Sequence, residues 1–96
     1  MIGFAFRHFV PGDHLEIWAN TLLMRLIERS PYESSCSASV SLEDQGYLVE
    51  IEFHSSRYGA MKATAFSEEC HKALEKAEHM ISAQLDHWQD TRIIAA

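Results

Sequence analysis

Cysteine, proline and glycine are scarce in this sequence, at two, two and four residues among 96. Cys36 and Cys70 are too few and too far apart for a disulfide framework or a four-thiolate zinc site, so both are expected as reduced core thiols in cytoplasm. The glycines fall singly, and isolated turn residues such as Gly12, Gly46 and Gly59 cannot build a phosphate-cradling loop. Long apolar runs are missing too. Leu22-Leu23-Met24 is broken by Arg25, far short of the about 18 apolar residues that span a bilayer. Met1 to Arg7 shows no basic leader, long apolar segment or small-residue cleavage site, so no export is expected. Basic residues are in deficit, with eight Lys and Arg against fourteen Asp and Glu and a formal charge of −6. That balance works against nucleic-acid binding driven by bulk charge alone.

What is present is the composition of a folded globular chain, 47% hydrophobic and 23% charged. Ninety-six residues suffice for one core, so a single domain over residues 1–96 is expected. Ile2, Phe4, Phe6 and Val10 share one parity against Gly3, Ala5 and Arg7, which predicts a strand ended by Pro11-Gly12. Asp13 is placed to cap a helix, with Glu16 reaching back three residues later. Leu15, Trp18, Ala19, Leu22, Leu23 and Leu26 recur at helical spacing, and Ser30-Pro31 closes the helix because the residue before proline leaves helical dihedrals.

Residues 36 to 42 alternate strictly, setting Cys36, Ala38, Val40 and Leu42 against three serines. After the turn Glu43-Asp44-Gln45-Gly46, Tyr47, Val49, Ile51 and Phe53 oppose Leu48, Glu50, Glu52 and His54. A second turn, Ser55 to Gly59, leads into Met61, Ala63 and Ala65, with Lys62 and Thr64 on the other side. Ser67 is the expected cap of a last helix, with Glu68 and Glu69 in its first turn. Its stripe runs Cys70, Ala73, Leu74, Ala77, Ile81, Leu85 and Trp88, and the tail from Arg92 is expected to fray. No repeat, linker or low-complexity tract interrupts this β-α-β-β-β-α order.

Ser37, Ser39, Ser41, Glu50, Glu52, Lys62 and Thr64 would share one sheet face, which therefore meets water while both helices cover the other. The expected fold is an α+β two-layer sandwich with a four-stranded mixed sheet. Strands one and two are parallel across the first helix, and strands two to four form an antiparallel meander.

Catalytic chemistry finds little support. Cys70 sits on an apolar stripe without a base, no serine lies in an elbow motif, and Glu50 and Glu52 share an open face with no pocket to raise either pKa. His71, Glu75, His79, Ala83 and His87 follow a four-residue row, which drifts by about 40° per step on a 3.6-residue helix. Only neighbours such as Glu75 and His79 could share an ion, so neither a metal site nor a cofactor is expected. Arg25 and Arg29 end the first helix, where they also complement its dipole. Lys62 faces Glu50 and Glu52 as a cross-strand ion pair, and Glu68 is the expected helix-surface partner of Lys72.

The chain resembles the ribosome hibernation-promoting factors, or ribosomal subunit interface proteins. Gly59-Ala60-Met61-Lys62-Ala63-Thr64-Ala65 is similar to that family's glycine-led final strand. Leu74, Ala77, Ile81 and Leu85, with the pair Gln84-Leu85, follow its last helix, and Leu15, Trp18, Ala19, Leu23 and Leu26 follow its first. The resemblance implies the β-α-β-β-β-α fold, binding in the small-subunit channel used by messenger and transfer RNA, and inhibition of translation in resting or stressed cells. It carries Lys62 and Arg25 over as nucleic-acid-binding positions. Met80, Ala83, His87 and Gln89 stand where the family has basic side chains on the last helix, and residues 67–90 hold two lysines against six acidic residues. Double-stranded RNA-binding domains match less well, because Glu68-Glu69-Cys70-His71 replaces their basic helix start.

The expected function is thus a non-catalytic cytoplasmic regulator of translation that binds the small ribosomal subunit. The alternative is an acidic protein-interaction module on the same fold. There Glu50, Glu52, Glu68, Glu69, Glu75 and Glu78 engage a basic protein, and RNA binding is lost. No membrane partner is expected, and the oligomeric state is left open.

Overall fold

A computed structural model describes residues 2–30, 32–57 and 59–95, with side chains through His87. Six elements follow in order: β1 (Ile2–Arg7), α1 (Asp13–Arg29), β2 (Ser34–Glu43), β3 (Gly46–Ser55), β4 (Gly59–Ser67) and α2 (Cys70–Ala95). The sheet order is β1-β2-β3-β4, with β1 parallel to β2 and the other neighbours antiparallel. A parallel neighbour demands a crossover, and α1 supplies it. The α+β order and the mixed four-stranded sheet are those expected from hydropathy periods.

One face of the sheet is apolar because the side-chain period of a strand is two. Ala38, Val40, Val49, Ile51, Phe53, Met61 and Ala63 are buried beneath Leu22, Leu23, Leu26, Leu74, Ala77, Ile81 and Leu85. α1 packs on β1 and β2, α2 packs on β3 and β4, and the two helices touch each other. Both therefore cover the same face. Trp88, assigned to the α2 stripe by its spacing, lies outside the residues whose side chains are described.

Several local expectations change. β1 ends at Arg7 rather than near Val10, because His8 adopts a left-handed φ of 69°. That twist breaks the alternation, leaving Val10 93% exposed and turning Phe9 inward, edge-on to Phe6 and Tyr47 at 5.8 and 5.3 Å. Asp13 does not cap α1. Gly12 occupies that position in extended backbone, its carbonyl accepting from the Glu16 N–H at 3.1 Å, and Asp13 lies in the first turn where its charge still favours the helix dipole. Ser67 remains in β4, its Oγ accepting from the Glu69 N–H at 3.3 Å, and Glu69 rather than Ser67 offers the first carbonyl of α2, to Ala73. The two carboxylates of this segment thus precede the helix. Its far end stays helical through Ala95 instead of fraying from Arg92.

Gly46 opens β3 where it meets the end of β4. A Cβ there would stand 2.5 Å from the Ser67 carbonyl oxygen, so only glycine allows the strands this close.

Candidate functional site

The uncovered face of the sheet is ordered in rows by the strand register. Gly3, Ser37, Glu52 and Lys62 make one row, Ala5, Ser39, Glu50 and Thr64 the next, and Arg7, Ser41, Leu48 and Phe66 a third. Towards β1 the row members are small. They leave a shallow trough of about 340 Å³ lined by Gly3, Ala5, Ser37 and Ser39 and walled by Glu50 and Glu52.

Lys62 stands on this face in the ion pairs expected of it, with Nζ 3.4 Å from Glu50 Oε1 and 3.8 Å from Glu52 Oε1. His54 Nε2 lies 3.6 Å from Glu52 Oε2. One ammonium between two carboxylates leaves the cluster negative, so Lys62 reaches a phosphate only by exchanging partners. Arg25 is exposed on α1, in the helical layer. Lys62 points away from that layer, so the two carried-over cations occupy opposite surfaces of the sandwich and are not brought together.

Arg7 joins Lys62 on the open face, at the β1 edge. Its parity with Gly3 and Ala5 already placed it there, but nothing in the strand pattern singled it out as a binding group. Most other cations are engaged. Arg29 Nη2 pairs with Asp86 and its Nη1 donates to Ser82, so this side chain bridges the helices rather than merely complementing a dipole. Arg57 lies over the Tyr32 ring at 5.6 Å. Lys72 pairs with Glu69 at 2.6 Å, in place of the expected Glu68, because an i,i+3 neighbour serves where the helix starts late. That contact holds the Glu69 carboxyl below its usual pKa and raises the Lys72 ammonium above its own. Arg7 and Arg25 are exposed and make no hydrogen bond, ion pair or ring contact among the described residues.

Nucleophilic chemistry has little to work with. Burial pushes the Cys36 thiol up to about 12 and raises that of Cys70 as well, so neither offers a thiolate near neutral pH. On the helical side, His71 meets the Trp18 ring edge-on at 6.1 Å, and His14, Ile17 and Trp18 line a groove of about 650 Å³ with His71 and Glu75. Among the described residues, no cluster of three or more His, Cys, Asp and Glu side chains is arranged to hold a metal ion. No helix there is long and apolar enough to cross a membrane.

The arrangement of helices and strands has close counterparts. The Thermus thermophilus Protein Y N-terminal domain superposes with a TM-score of 0.80 at 16% identity, covering 90% of this chain and 94% of that one. This chain has a hibernation-factor-like fold. A ribosomal subunit interface protein from Coxiella burnetii superposes with a TM-score of 0.74 at 15% identity, covering 94% of this chain and 99% of that one. No protein-family model matches the sequence, and no curated protein matches it. The likeness is thus one of fold, at 15–16% identity.

Proposed function

We propose that residues 1–96 form one domain that acts as a non-catalytic, ribosome-associated regulator of translation in resting or stressed cytoplasm, and that it binds the small subunit. The observation that supports this reading is the coverage of the fold match. Nearly the whole of this chain superposes on nearly the whole of a ribosomal subunit interface protein. Arg25, Lys62 and Arg7 supply its cationic contacts. Their separation on two surfaces suits a domain lodged in a channel and touched from both sides better than one laid flat on a duplex.

With so few cations, binding is less salt-sensitive than for a basic domain. Three phosphate contacts give a slope of log affinity against log salt of about −2 to −3. Gradient sedimentation of a stationary-phase lysate tests the reading directly. Co-migration with small subunits that weakens by about tenfold in Arg25→Glu or Lys62→Glu, with the slope falling by about one, supports it. Absence from the ribosomal fractions, or indifference to both substitutions, overturns it.

A second reading rests on the Glu50–Lys62–Glu52 cluster, whose residual charge is negative beside an open trough. Here the domain engages a basic protein, ribosomal or otherwise. Recovery of one discrete partner after nuclease treatment, lost on Glu50→Lys, distinguishes it from RNA contact.

A further inference from the structure

Glu52 stands between two groups that compete for its carboxylate. Its Oε1 lies 3.8 Å from Lys62 Nζ and its Oε2 lies 3.6 Å from His54 Nε2, while Glu50 Oε1 is 3.4 Å from the same ammonium. All three separations exceed the about 2.7–2.9 Å of a tight charge-assisted hydrogen bond. Glu52 is therefore shared by its neighbours and locked to neither. The four side chains are roughly half exposed, so a small rotation exchanges partners without disturbing the core.

Alternation along the strands puts Arg7, Glu43, Glu50, Glu52, His54 and Lys62 on the open face. With His54 neutral, this face sets two cations against three carboxylates. Histidine is the side chain that changes charge between about pH 5 and 8, where lysine and the carboxylates keep theirs. Protonation of His54 thus brings the face to balance. Ser35 of β2 and Ala60 of β4 lie directly opposite His54 and carry no charge. In the turn that follows it, Arg57 sits over the Tyr32 ring, and Glu33 precedes β2, where its carbonyl accepts from the Ser56 N–H. His14, His71, His79 and His87 belong to the helical layer, and His8 follows β1 at the far end of the sheet. Met1 lies outside the described residues.

We infer that His54 is a proton switch for the open face. Its protonated ring draws Glu52 from Lys62, and the freed ammonium takes a phosphate of the RNA that the ribosomal reading, on which this inference rests, sets against the surface. A ligand that prefers the protonated state takes up a proton as it binds. Affinity for small subunits therefore rises as pH falls. A basic protein on the same face, the second reading above, gives the opposite sign, because protonation removes the negative charge that attracts it.

The test uses the full chain and purified small ribosomal subunits at fixed ionic strength. Between about pH 7.8 and 5.8, sedimentation affinity is expected to rise more in the native chain than in His54→Gln, by about three- to tenfold. The comparison removes the contribution of the other histidines and of the ribosome itself. Glu52→Gln frees Lys62 at both pH values, so it binds more tightly than the native chain at the higher pH and depends less on pH. Lys62→Gln removes the group that meets the phosphate and flattens the dependence as well. In the free protein, the Lys62 Nζ and Glu52 carboxyl resonances are expected to move with those of the His54 ring in one titration, and Glu52→Gln uncouples Lys62 from it.

Three outcomes overturn the switch: Lys62 resonances that ignore His54 protonation, a pH dependence equal in the native chain and His54→Gln, or affinity that falls as His54 is protonated. The last assigns the face to a cationic partner. Absence of sedimentation at both pH values, with the coupled titration intact, defeats the ribosomal reading and its RNA phosphate while supporting the exchange of Glu52 between Lys62 and His54.

Discussion

Cys36 is 3% exposed between β1 and β3, and its thiol pKa is pushed up to about 12 because burial penalises the thiolate. A folded-state value above the unfolded 9.0 means that the native state holds its proton longer. The stabilising contribution is complete below about pH 9 and is lost as pH rises toward 12, at about 1.4 kcal/mol per pH unit in that window. Urea titrations at several alkaline pH values are therefore expected to show stability falling more steeply in the native sequence than in Cys36→Ala. Alkylation at pH 8 reads the same chemistry: Cys36 stays unmodified while the chain is folded, and half-buried Cys70 reacts more slowly than in the denatured chain. Rapid modification of folded Cys36 would contradict its burial.

At the level of elements, the junction of β3 and β4 depends on a missing side chain. Gly46→Ala places a methyl group against the Ser67 backbone, which cannot rotate away as a side chain would. It is expected to cost about 1–3 kcal/mol in chemical denaturation and to loosen the end of β4. The α1–α2 contact responds differently. Arg29 and Asp86 are 36% and 58% exposed, so solvent screens their pairing. Arg29→Ala should change stability by no more than about 1 kcal/mol, with the difference shrinking as salt is added. A loss well above that would mean that the guanidinium contributes packing as well as charge. These two sites show how unequal local features are: a tight backbone approach outweighs an ion pair that draws the eye.

For the molecule as a whole, charge geometry governs how it meets a partner. Arg25 and Lys62 lie on opposite surfaces and share no contact, so their effects on ribosome affinity are expected to add within about 0.5 kcal/mol in the double variant Arg25→Glu with Lys62→Glu. A marked departure from additivity in sedimentation assays would show that the two positions meet the same group. The Lys62 variant also releases Glu50 and Glu52 from their cation, so any loss at that face is accompanied by local repulsion. Lys62→Gln separates the two effects, since it removes the cation without adding a carboxylate.

Hydropathy periods in the chain determined the element order, the parity of the strands within their observed bounds, the buried stripes of both helices as far as Leu85 and the wetness of the serine-bearing face, because side-chain burial is repeated along each element and any one residue can be wrong without changing the sum. They also placed Lys62 beside Glu50 and Glu52, since antiparallel pairing makes neighbours of residues whose turn length is readable. Single-residue features were less legible. The start of α2, the exposure of Val10 and the inward turn of Phe9 each hinge on one backbone dihedral or one cap, where no repetition reinforces the signal. Only the folded structure decided that Arg29 belongs to Asp86 and Ser82, that Phe9 packs on Phe6 and Tyr47, and that β4 is left at the edge beside α2. Those are relations between segments far apart along the chain, fixed by which faces must pack together to exclude water, and the chemistry of one segment does not contain them.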